Sequence, residues 1–171
     1  MTNSLDTAKC KLVADALRSG QQVKIRALGV SMMPAIWPGD VLIVEPAAVE
    51  SLRVGEIVVF ERYGRIFAHR LISRGEYPEG EVALTVRGDR MNTPDPEVSG
   101  NEYLGRVVRL ERAGRVVRIA RRPGVGQRIA AQLTRWDRGL AAYLGVARLL
   151  GRTDYPASGA AEAMVPGNGW Q

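Results

Sequence analysis

Residues 23–120 of this chain predict a mainly β domain, a curved antiparallel sheet system flanked by an N-terminal helix and C-terminal helices. Three observations carry that prediction. Short β-branched runs follow one another through the stretch: VKIRAL, VLIVEP, EIVVFE, RIFAHRLI, EVALTVR, YLGRVVRLER and RVVRIAR. Pro-Gly, Gly-Asp and Asn-Thr-Pro turn signals punctuate them. With 171 residues, 46% of them hydrophobic, the chain can bury one packed core with an appended helix but hardly two full domains.

The elements follow in order. Residues 1–22 form an amphipathic helix, because Leu5, Leu12, Val13, Ala16 and Leu17 fall near helical spacing and Gly20 stops it. Lys9, Lys11, Asp15 and Arg18 give it a polar face that lipid accepts only at high cost, so the helix is expected to pack on the β domain. Within 23–120, Ala113-Gly114 marks a tight hairpin between the last two strands. Residues 121–152 read as a basic amphipathic helical extension. Its stripe of Ile129, Gln132, Leu133, Trp136, Leu140, Tyr143, Leu144 and Ala147 runs beside Arg128, Arg135, Arg138 and Arg148. Residues 153–171 are small, polar and rich in Pro and Gly, the composition of a flexible tail. Its Ala161-Glu162-Ala163 is a small-x-small pattern, which makes it a candidate for slow self-cleavage after Ala163.

Charge is unevenly spread. Residues 1–105 hold 12 Lys and Arg against 14 Asp and Glu, a net −2, whereas residues 106–152 hold 12 Arg against 2 acids, a net +10. Such a segment suits an anionic partner or a solvated helix face. Nucleic acid is disfavoured, because the arginines lack the interleaved aromatic residues of a base-stacking platform. The Trp136 and Tyr143 stripe suits either packing on the β domain or peripheral contact with lipid head groups. A single cysteine, Cys10, supports no internal disulfide and no thiolate metal cluster. The N-terminus lacks the basic and apolar regions of a secretory signal. The longest apolar run, GLAAYLGVA at 139–147, is about half of the roughly 18 residues that span a bilayer. The expected location is cytoplasmic, or peripheral at the inner membrane through the basic helices.

The residues with chemical potential are few. His69, in RIFAHRLI, is the one histidine, which removes multi-histidine metal sites; neither metal nor cofactor is expected. Strand alternation puts Phe67, His69 and Leu71 on one face and Ile66, Ala68, Arg70 and Ile72 on the other. An isolated histidine on an apolar face is ordinarily a core residue, so its context decides. Ser31, in GVSMMPAIWPGD, stands between valine and two methionines, where a serine neither caps nor solvates well. Asp89 and Asp95 lie in VRGDRMNTPDP, where Gly-Asp and Asn-x-Pro are ordinary turn chemistry, although one of the carboxylates could orient the imidazole. A serine hydroxyl is a poor nucleophile until a base takes its proton, and such a base works best when a third group holds its tautomer. Whether Arg70 braces the acidic loop or meets solvent stays open.

Together these motifs resemble the signal peptidase I superfamily, whose catalytic domain shares its fold with the LexA-type repressors. Within it they resemble the branch of the endoplasmic-reticulum and archaeal signal peptidases. GVSMMPAIWPGD is similar to the serine box, VGEIVVFERYGRIFAHRLI to the strand pair with the base, LTVRGDRMNTPD to the acidic box and YLGRVVRL to the final strand. The resemblance covers about residues 23–111. It implies a serine endopeptidase that cuts an extended peptide after a small residue, with Ser31 as nucleophile, His69 as base and Asp95, or failing that Asp89, orienting it. Met32, Met33 and Pro34 would lie beside the scissile bond as substrate-binding residues. Two points depart from the usual pattern: histidine stands where most bacterial members have lysine, and no apolar anchor helix precedes the serine box. The other function classes considered are a non-catalytic peptide-binding module on the same fold and a LexA-like self-cleaving regulator.

Overall fold

Eight strands form one antiparallel sheet in the order β1-β2-β7-β3-β4-β5-β6, with β8 added beside β7. The strands are β1 (Val23–Arg26), β2 (Val41–Glu45), β3 (Ile57–Arg62), β4 (Arg65–Glu76), β5 (Val82–Arg87), β6 (Val98–Ser99), β7 (Tyr103–Arg112) and β8 (Arg115–Val117). Helix α1 (Ser4–Arg18) precedes the sheet and α2 (Val125–Leu133) follows it. The computed structural model describes residues 4–76, 80–122, 124–133, 141, 142 and 145. The mainly β class expected from the sequence is the class observed.

Two hairpin turns set the pairing. At Tyr63-Gly64 both residues have positive φ (53° and 68°), and at Ala113-Gly114 likewise (48° and 73°). Two consecutive left-handed residues make the tight turn whose twist matches a β-hairpin. They fix Arg62 opposite Arg65 and Arg112 opposite Arg115.

The sheet buries both faces, so there are two hydrophobic clusters where the composition had suggested one core. Strand β3 shows the reason: Ile57 and Val59 point into one cluster, Val58 and Phe60 into the other. The first cluster takes Ala14 and Leu17 of α1 against Leu42, Val44 and Leu110, so α1 packs on the sheet as its polar face predicts. Arg18 reinforces that seat through Glu61 at 3.0 Å. The second gathers Leu71, Leu84, Val86 and Val98.

Some elements differ from the sequence reading. Strand β8 stops at Val117, although the β-branched pattern runs on through Ile119. The main chain leaves the sheet there because Ala120 and Arg121 present their carbonyls to Arg70. Strand β6, two residues long, pairs with β5 at Ala83 and Leu84 and has no periodic signature. At the start of the C-terminal stripe Ile129 is 56% exposed while Ala131 is buried, so the described part of that stripe does not pack inward. The stripe residues from Trp136 onward that were expected to be helical, and the tail 153–171 with Ala163, lie outside the described residues. No helix among the described residues is long and apolar enough to cross a membrane.

Among the described residues, two strand edges that border the cleft of Ser31 stay open. Strand β1 pairs with β2 alone. Strand β4 meets β3 from Arg65 onward but is joined by β5 only from Arg70, so 65–69 is unpaired on that side.

Candidate active site

Ser31 lies on an irregular loop between β1 and β2. Met33 N–H donates to the Val30 carbonyl at 3.1 Å and Ile36 N–H to the Met32 carbonyl at 3.0 Å, a helical turn that goes no further. Asp40, only 2% exposed, closes the loop. Its carboxylate accepts Trp37 N–H at 2.7 Å and takes a two-pronged pair from Arg112, Nε to Oδ1 at 2.8 Å and Nη2 to Oδ2 at 2.7 Å. The same guanidinium donates to the Ala35 carbonyl at 3.2 Å and stacks 5.1 Å from the Trp37 ring centroid. A planar fork matched to a carboxylate is the most rigid side-chain clamp available.

His69 points from β4 toward this loop. Its Nε2 is 2.9 Å from Ser31 Oγ, and its Nδ1 is 2.6 Å from Asp95 Oδ2. A carboxylate only accepts, so the ring proton belongs on Nδ1, and the lone pair on Nε2 faces the serine hydroxyl. Phe60 and Phe67 pack on the imidazole with centroids at 6.0 and 6.2 Å, which fixes its plane. An imidazole so oriented beside a hydroxyl is the arrangement that turns serine into a nucleophile.

Arginines hold the acidic loop at two points. Arg70, one residue beyond the imidazole on the opposite face of β4, binds both oxygens of Asp89 at 2.7 Å and donates to the carbonyls of Gly55 and Ala120 at 2.7 and 2.9 Å. The alternative of Asp89 as partner of His69 is therefore corrected: both its oxygens engage a buried guanidinium on the other side of the strand. Arg70 braces the loop and does not meet solvent. At the other end Arg62 donates to the carbonyls of Pro96 and Glu97 at 3.1 and 2.7 Å, just past Asp95. It also forks onto Glu102 at 2.6 and 2.8 Å. The Arg62 guanidinium holds the Glu102 carboxyl below the usual carboxylate range, an effect that Ser99 N–H strengthens. Asp95 N–H itself bonds to the Val86 carbonyl at 2.9 Å.

The acidic loop also touches the serine loop directly. Arg90 N–H donates to the Ser31 carbonyl at 2.9 Å. A Cβ on Gly88 would lie 2.8 Å from that same carbonyl oxygen and 3.2 Å from Ser31 Cβ. Gly88→Ala must therefore move backbone at the serine. The expected result is a fall in kcat of about 10²-fold with KM nearly unchanged, since a displacement of about 1 Å has that effect on a reacting group. Steady-state kinetics on a peptide substrate checks it, and an unaltered kcat would show that the contact is slack.

A cleft of about 660 Å³ opens beside Ser31 and His69, bounded by α1, by β1 with the residues after it, and by Gly64 of the turn with 65–69 of β4. Of the three residues expected to meet substrate, Met32 lines it. Met33 is fully buried in the core and presents no surface, which corrects its assignment. Pro34 is not among the lining residues, and its carbonyl accepts Trp37 Nε1–H at 2.8 Å. Among the described residues no group of three or more His, Cys, Asp or Glu is placed to hold a metal.

An antiparallel sheet that sets a loop serine against a strand imidazole over a cleft is a fold of the serine peptidase or self-cleaving repressor type. A family model described as Peptidase S24-like matches residues 4–108, more than half of the chain. The chain belongs to that family.

Proposed function

We propose that this protein is a serine endopeptidase in which Ser31 is the nucleophile, His69 the general base and Asp95 the group that orients the base. The observation that supports it is the unbroken line from Ser31 Oγ to His69 Nε2 at 2.9 Å and from His69 Nδ1 to Asp95 Oδ2 at 2.6 Å. As Ser31 Oγ attacks a peptide carbonyl, its proton passes to Nε2. The imidazolium is stabilised by Asp95 and returns that proton to the leaving amine. The negative charge on the former carbonyl oxygen falls to backbone N–H groups of the turn that begins at Ser31. Water then attacks the acyl-enzyme with His69 again as base.

The substrate is an extended peptide. The open edges of β1 and of 65–69 on β4 both border the cleft, so a strand laid there can pair with the main chain on either side. Cleavage after a small residue, and a place in the histidine-using branch of the signal peptidase superfamily, rest on the motif resemblance and on histidine standing at the base position.

The test is labelling with a serine-directed acylating probe and mapping of the modified peptide. Modification at Ser31 that is lost in His69→Ala is the expected result. No labelling of the folded protein, with peptide binding retained, would overturn the peptidase reading and leave a peptide-binding module.

A further inference from the structure

The cleft beside Ser31 has a charged rim of one sign. Its described lining includes Lys9, Lys24, Arg26 and Arg65 and no aspartate or glutamate, over an apolar floor that includes Val13, Ile66 and Phe67. These cations are not a local share of the chain's overall surplus. They come from residues 9–65, within the portion whose net charge is −2, while the excess of arginine lies beyond residue 105. Nor are Lys24, Arg26 and Arg65 consumed by internal pairing among the described residues. Lys24 is 62% exposed and shares a single acid, Glu111, at 3.6 Å. Arg26 reaches a carbonyl, that of Gly39, at 3.5 Å, and Arg65 stands exposed at the start of β4.

From this we infer that the cleft selects peptides that carry aspartate or glutamate on one side of the scissile bond, with apolar side chains between the acids and the cut. This rests on the peptidase reading for the position of the cut, but not for the binding preference itself. The spacing follows from the strand. Arg65 is four residues before His69 on β4, about 13 Å at about 3.3 Å per residue, so in an extended peptide the first acid meets the rim about four residues from the bond that faces Ser31. Apolar side chains between them fall on the floor. Exposed charge pairs of this kind are screened over about 10 Å at 0.1 M salt, so the preference must weaken as salt rises.

The experiment uses random decapeptides with a fixed central alanine, captured on immobilised full-length Ser31→Ala and sequenced. The same library is digested with wild type and read by mass spectrometry. Expected is enrichment of Asp and Glu over Lys and Arg of about tenfold on one side of the alanine in the captured pool, lost in 1 M salt. The enrichment should invert in the Lys24→Glu/Arg65→Glu variant of the same protein. Equal recovery of acidic and basic peptides, or no capture, overturns the inference. If acidic peptides are enriched on Ser31→Ala but wild type cuts none of them, the charge preference stands and the peptidase reading falls, so the two failures are distinct.

Discussion

Asp95→Asn is expected to lower kcat/KM for peptide hydrolysis by about 10⁴-fold, and Ser31→Ala by about 10⁴ to 10⁶-fold, with the fold intact in both. The reason is one of tautomers. With a carboxylate at 95, His69 Nδ1 donates and Nε2 is left to accept from Ser31 at 2.9 Å. An amide at 95 can offer its own N–H to Nδ1, and the ring then turns a proton toward the hydroxyl it should deprotonate. Neither side chain carries much of the packing: Asp95 is 25% exposed, and removing the Ser31 hydroxyl leaves the adjoining buried Met32 in place. Thermal midpoints and circular dichroism should therefore match wild type. Asp95→Asn with activity within tenfold of wild type would remove the orienting role, and retained hydrolysis in Ser31→Ala would remove the nucleophile.

Arg70→Met is expected to cost stability, about 3 to 5 kcal/mol, and to abolish activity through the loop it holds. Arg70 and Asp89 side chains are 6% and 7% exposed, so removing the cation strands a carboxylate inside the protein. It also leaves the carbonyls of Gly55 and Ala120 without their donor. Replacing both partners, Arg70→Met with Asp89→Leu, removes the stranded charge and should recover a good part of the loss while activity stays absent. Urea denaturation reads both. A single variant within about 1 kcal/mol of wild type would mean that water reaches the pair and that the clamp is weak.

The sequence makes some of this architecture readable because the signal is local. Amphipathic spacing marks α1, the Ala113-Gly114 pair marks its hairpin, and the runs around β2, β3 and β5 declare strands through their β-branched content. The nucleophile and base candidates are readable because a serine among methionines and a single histidine are conspicuous. Ranking Asp95 ahead of Asp89 came from the resemblance, and no periodicity could have separated the two. What stayed hidden depends on contacts distant in sequence. Arg62 and Glu102 are 40 residues apart and Arg112 and Asp40 are 72 apart, and an arginine near a strand end looks the same whether it clamps a loop or meets water. Met33 misleads for a similar reason: both methionines are buried, but Met32 keeps atoms on the cleft wall and Met33 has none there, a difference that adjacency in sequence does not show.

The two-residue turn at Tyr63-Gly64 has a consequence for which insertions this chain can tolerate. It sets Val58 opposite His69 and Ile57 opposite Arg70, and the imidazole and its neighbouring guanidinium hold two points of the acidic loop from opposite faces of one strand. A one-residue lengthening that slid β4 against β3 would put Ala68 in the place of His69 opposite Val58 and turn the imidazole to the face of Asp89, leaving Ser31 without a base. The Arg70 clamp and the proton path would be lost in one event. The hairpin tip is thus a reading frame for the site: the exposed Tyr63 side chain can vary, whereas the left-handed Gly64 and the length of the turn cannot.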